Sequence, residues 1–187
     1  MRFGVSVMPS WKTQTAIRLI SLLHYENVRL MTPRLFATVA LAWLLLSCSP
    51  QTSPQVSLYY YNPALDQDSS GNVQCTNAGL VPVQREASAS LSGDALIEET
   101  IRMLISGTLT PDERAQGITT QFPLEGLALT GSSLEDGQLT LAFEDLNFST
   151  SGGACRATVL WAQIEKTALQ FPGVERVKVI PQELFQP

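Results

Sequence analysis

The chain has 187 residues with 12 Lys and Arg against 17 Asp and Glu, a formal charge of −5. Once a targeting segment is set aside, that length holds one domain with a sizeable core and excludes two of ordinary size. The acidic balance speaks against nucleic acid and anionic lipid surfaces as partners.

Residues 1–30 hold Lys12, Arg18, Glu26 and Arg29 without a clear pattern. They read as an extended n-region or as a start placed too far upstream; the second is favoured, because Met31 opens a complete signal of its own. From Leu35 to Leu46 the chain is apolar apart from Thr38, and it follows Arg34. A run of about a dozen residues suits the core of a secretory signal and falls short of the roughly 18 needed to span a bilayer.

The run ends in Leu45-Leu46-Ser47-Cys48, which resembles the lipobox of bacterial lipoprotein signal peptides. The resemblance implies cleavage between Ser47 and Cys48 and acylation of the Cys48 sulfur, with fatty acids such as palmitate. Two or three chains on one cysteine anchor stably where one would not. Residues 31–47 are then the signal peptide, and 48–55 are a lipidated Cys with a flexible Ser/Pro/Gln/Thr tether.

Cleavage there removes five of the 12 basic residues and one of the 17 acidic ones, leaving 140 residues with seven against 16 and a formal charge of −9. It also removes His24, the only histidine. A domain without His has no Ser-His or Cys-His catalysis and lacks the commonest transition-metal ligand. Cys75 and Cys155 remain. In an oxidising compartment an even pair reads as a disulfide, the alternative being two separately buried thiols.

The domain is expected over 56–181, with 182–187 as a C-terminal tail. Val56, Leu58 and Tyr60 alternate with Ser57, Tyr59 and Tyr61, a strand with one buried face that stops at Pro63. The tyrosines suit ordinary packing better than saccharide stacking. Asp66-Gln67-Asp68-Ser69-Ser70-Gly71 places oxygens at alternate positions before a Gly, as at the start of a calcium loop. Asn77 stands where the bidentate acid belongs, so Asp66, Asp68 and Ser70 are a weak cation site beside the plainer reading of a solvated turn.

Leu80 to Arg85 is extended, and Pro82 places it at a sheet edge or outside the sheet. Ser92-Gly93-Asp94 opens a helix through Ser106 with Ile97, Ile101, Leu104 and Ile105 as its stripe and Gly107 as its stop. Thr110-Pro111-Asp112-Glu113 is a capping box. Leu127 to Phe143 forms a hairpin about Asp136-Gly137. Asn147 to Gly153 is a polar helix approach, without the Lys of a phosphate loop. Ala157, Leu160, Trp161, Ile164, Ala168 and Phe171 share one helical face, Pro172-Gly173 breaks it, and Val174 to Ile180 is the last strand. This order predicts an α+β domain, two amphipathic helices on one face of a small mixed sheet.

From about Asp94 to Ile180 the residues resemble a GerMN domain. The matching features are Leu104-Ile105-Ser106-Gly107, Thr110-Pro111, Gly117-Ile118-Thr119-Thr120 to Phe122-Pro123, and Leu134-Glu135-Asp136-Gly137. Gln163-Ile164, Thr167 and Gln170-Phe171-Pro172-Gly173-Val174 complete the set. The resemblance implies a non-enzymatic module similar to ring-building domains, often borne on lipoproteins, with no catalytic residues to carry over. This chain carries one such domain where the germination protein carries a tandem pair, and its Asp66 to Cys75 insert lies outside the pattern.

The expected function is a lipid-anchored extracytoplasmic envelope protein that contacts a protein partner or copies of itself, with no cofactor beyond the lipid on Cys48. The alternatives are a lipoprotein binding a cation (Ca2+) or saccharide through the Asp66 to Gly71 loop, and a carboxylate-only hydrolase drawing on Glu135, Asp136, Glu144 and Asp145.

Overall fold

The computed structural model describes residues 52–186. The signal segment 31–47, Cys48 and His24 lie outside the described residues.

Strand β1 (Gln55–Tyr61) pairs antiparallel with β2 (Leu80–Glu86), Leu58 opposite Val83. The connection between them holds the Asp66 loop. Helix α1 (Gly93–Ile105) follows, then the short α2 (Pro111–Ala115), whose Thr110 and Glu113 form the expected capping box. Strands β3 (Leu127–Glu135) and β4 (Gln138–Asp145) make the hairpin. Its two-residue turn has φ of 48° at Asp136 and 76° at Gly137, the left-handed pair that matches the strand twist. Helix α3 (Ala154–Ala168) leads to β5 (Arg176–Ile180), which runs parallel to β4.

The fold is α+β, with the strands divided between two sheets, β1-β2 and β3-β4-β5, rather than joined in one. The division arises because the second edge of β1 meets no strand among the described residues. The Tyr59 N–H donates to Thr167 Oγ1 at 3.0 Å, and the Gln170 side-chain amide exchanges two hydrogen bonds with the backbone of Ser57, at 2.8 and 2.7 Å. Further along, Tyr61 and Thr119 exchange backbone bonds. The side chains of Thr167 in α3 and of Gln170 just past its end thus supply what a neighbouring strand would.

The core lies where both sheets and both long helices meet. Leu58 and Tyr60 of β1, Ile101 and Leu104 of α1, Leu139 and Leu141 of β4, and Leu160 and Ile164 of α3 are essentially inaccessible to solvent. The stripes read from the sequence are the faces buried. The residues expected as a tail continue this core: Leu184 and Phe185 are buried, and the Phe185 ring meets Phe143 edge-on at 5.6 Å.

Candidate functional site

Cys75 and Cys155 are joined in a disulfide with Cα atoms 5.3 Å apart, across 80 positions of sequence. The bond pins the Asp66 loop to the first turn of α3. Beside it lies a groove of about 600 Å3 lined by Tyr61, Thr119, Thr120, Gln121, Cys155 and Arg156, among others. The helix begins at Gly153, with φ of 81° and no side-chain cap. Arg156 turns back along this wall and donates to Gln121 Oε1 and the Ser151 carbonyl.

Within the loop, Asp66 is an internal anchor. Its carboxylate accepts the Thr76 N–H and hydroxyl, both at 2.6 Å, and the Tyr61 hydroxyl. Thr76 and Tyr61 hold the Asp66 carboxyl below its ordinary range. Burial and Asp66 together push the Tyr61 phenol up to about 12. Asp68 serves a different set of donors: the N–H groups of Ser70 and Asn72 and the side-chain amides of Asn72 and Gln74. The loop therefore closes on itself through its two acids, each filled by its own donors. Ser70 takes part through its backbone N–H and not its hydroxyl, and no cluster of three or more His, Cys, Asp or Glu placed to hold a metal occurs among the described residues. That is the geometry of a structured turn, in which a cation would have to displace hydrogen bonds already made.

The four carboxylates of the hydrolase alternative fall at opposite ends of one hairpin. Glu135 ends β3 and Asp136 opens the turn, whereas Glu144 and Asp145 end β4. About seven strand steps, roughly 20 Å, lie between them, far beyond the separation at which two carboxyls share a glycosidic bond. Asp145 is committed to the following loop, accepting the N–H groups of Ser149 and Thr150. Burial raises its carboxyl, but those N–H groups outweigh it and leave it below its usual value. The tyrosines divide likewise: Tyr60 is buried and donates to the Leu104 carbonyl, Tyr61 is tied to Asp66, and Tyr59 lies under Lys166 at 5.7 Å.

An ion pair that sequence reading missed joins β2 to α2: Nη1 and Nη2 of Arg85 donate to the two carboxylate oxygens of Glu113, at 2.7 and 2.8 Å. Glu113 is singled out in sequence only as part of a capping box, and it performs that role as well. Nothing in the spacing of the two residues, 28 positions apart, signals the pair. The same is true of Thr167 and Gln170, which stand out in the family pattern but whose partners on β1 lie more than 100 positions away.

A family model described as "Germane: Sporulation and spore germination" matches residues 57–180. Among solved structures, the chain is similar to the tandem GerMN domains of the sporulation protein GerM from Bacillus subtilis, at 21% identity and a TM-score of 0.46 over 75% of this chain. It spans 43% of that protein's length. It is also similar to a candidate lipoprotein from Clostridium perfringens, at 14% identity and a TM-score of 0.37 over 75% of this chain and 85% of that one. No curated protein matches the chain. No helix among the described residues is long and apolar enough to cross a membrane.

Proposed function

The chain belongs to the Germane family, and from that premise we propose that it is a lipid-anchored protein of the bacterial envelope, not an enzyme, whose GerMN-like domain works by contacting other proteins. The observation that carries this reading is the position of Leu45-Leu46-Ser47-Cys48: Cys48 stands seven residues ahead of Gln55, where the first strand of the domain begins. A lipid on that sulfur would hold the domain to the outer face of a membrane by a short tether. The chemistry of the domain supports a contact role. It has no histidine after Cys48, its four candidate hydrolytic acids fall as two pairs at opposite ends of a hairpin, and its loop acids are engaged with their own neighbours.

Metabolic labelling with a fatty acid, compared between the natural chain and Cys48→Ala, tests the anchor. Label on the natural chain alone is expected, and equal labelling of both would overturn it. Crosslinking in the native envelope followed by mass spectrometry tests the contact role. A partner protein or a second copy is expected; a domain recovered alone and monomeric would overturn that part.

A further inference from the structure

The two sheets have four outer strand edges, and three of them are blocked, each by a different device. The edge of β1 is filled by Thr167, Gln170 and Thr119. On β2, the bonds Asn62 N–H to Gly79 and Ala87 N–H to Pro54 flank the ladder. Their spacing places Val81, Val83 and Arg85 toward β1 and turns Pro82, which has no N–H, outward in mid-strand. The edge of β3 is interrupted by a bulge between Leu129 and Gly131 and carries the Ser132 hydroxyl bonded to Glu98 of α1.

The fourth edge, β5, has no such block. Arg176 N–H donates to the Gly137 carbonyl, so the even-numbered residues of β5 face β4 and the backbone groups of Val177 and Val179 face outward. No hydrogen bond to the outward groups occurs among the described residues. Alongside runs a groove of about 620 Å3 whose apolar wall includes Trp161, Val177, Val179, Leu184 and Phe185. An open edge beside an apolar groove is the arrangement that takes up an extended peptide, main chain to main chain, with alternate side chains in the groove.

We propose that β5 is a docking edge for an extended segment of a partner protein that alternates apolar side chains with carboxylates. This rests on the reading of the domain as a protein-contact module and gives that contact a place and a chemistry. The charges select the partner. In a domain with more than twice as many acids as bases, β5 carries two basic residues at alternate positions, Arg176 and Lys178. Arg85 and Arg102 have carboxylate partners at 2.7 Å, whereas the carboxylate nearest Arg176 is Glu175, at 3.9 Å with both mostly exposed, and its side chain's one hydrogen bond among the described residues goes to the Asp136 carbonyl at 3.3 Å. Lys178 has no ion pair among the described residues. A second copy is the less fitting occupant. Antiparallel pairing of β5 with itself about Lys178 would set two ammonium-bearing side chains directly opposite each other.

The test uses the full-length chain in detergent and two labelled peptides of about ten residues, one alternating valine with glutamate and one alternating valine with lysine. Fluorescence anisotropy is expected to show the acidic peptide binding about tenfold or more tightly than the basic one. Lys178→Glu should reverse that preference. Val177→Pro removes an outward N–H without breaking a bond to β4, and it should abolish binding of the acidic peptide with the circular dichroism unchanged. Equal binding of the two peptides, no binding of either, or an unaltered preference in Lys178→Glu would overturn the proposal. A dimer strengthened by Lys178→Glu would assign the edge to a second copy and overturn it too. Envelope crosslinks that persist in Val177→Pro would refute this edge while leaving the contact role standing.

Discussion

The hydroxyl of Thr167 in α3 accepts the backbone N–H of Tyr59 in β1 at 3.0 Å, and Thr167 is wholly buried. Thr167→Val keeps the shape of the side chain and removes the acceptor, leaving that N–H without a partner. The expected loss is about 1–3 kcal/mol in equilibrium urea unfolding. Gln170→Leu, which strips two bonds from Ser57, should cost a similar amount. Unchanged midpoints in both variants would show that the β1 edge finds its bonds elsewhere.

The Arg85 pair makes stability depend on pH. Its guanidinium, with the N–H of Thr110, lowers the Glu113 carboxyl from 4.5 to about 2. A carboxyl with a depressed folded value contributes stability that is complete above its unfolded value and is lost as pH falls. Glu113→Gln should therefore be less stable than the natural chain at pH 6. The gap should narrow below about pH 4.5 and close near pH 2, as read from thermal unfolding at a series of pH values. A gap independent of pH would contradict the assignment.

Gly107 ends α1 with φ of +65°, and a Cβ there would run into the carbonyl of Phe122. Gly107→Ala meets a left-handed backbone and a clash together and should cost about 3 kcal/mol or more. Gly71 has φ of +84° with open space around it, so Gly71→Ala should show only the conformational part, about 1 kcal/mol. Equal losses would mean that the helix end shifts to make room.

The disulfide closes a loop of 80 positions. The paired substitution Cys75→Ser with Cys155→Ser should lower stability by about 2–4 kcal/mol in the chain-entropy picture. Dithiothreitol should bring the natural chain to nearly the same midpoint. Two alkylatable thiols in exported, unreduced protein would refute the bond.

Calcium at millimolar concentration should give no heat on titration and no change in melting temperature, because Asp66 and Asp68 already accept bonds from Thr76, Tyr61, Ser70, Asn72 and Gln74. A saturable heat abolished by Asp68→Asn would restore the loop as a cation site.

Local features of the fold were legible because their causes are local. Asp136-Gly137 can hardly do other than turn a hairpin, the stripes of α1 and α3 need a core to cover them, and Pro82 belongs on an edge. The Asp66 loop was legible as a turn but not in its wiring, since Asp66 and Asp68 look alike in sequence and serve separate sets of donors. The packing of Leu184 and Phe185 was not legible, because two residues are too short a run to show a period and they are buried only where the sheet and Phe143 already stand.

The sequence by itself determined the class of the fold and the order of its elements, since periodicity and turn residues act over a few positions. Only the tertiary structure decided that there are two sheets and that one of four edges stays open. Those outcomes depend on which side chains arrive at a strand from a hundred positions away. The backbone of β1 is satisfied by Thr167 and Gln170, so it needs no further strand, whereas Val177 and Val179 in β5 meet nothing comparable among the described residues.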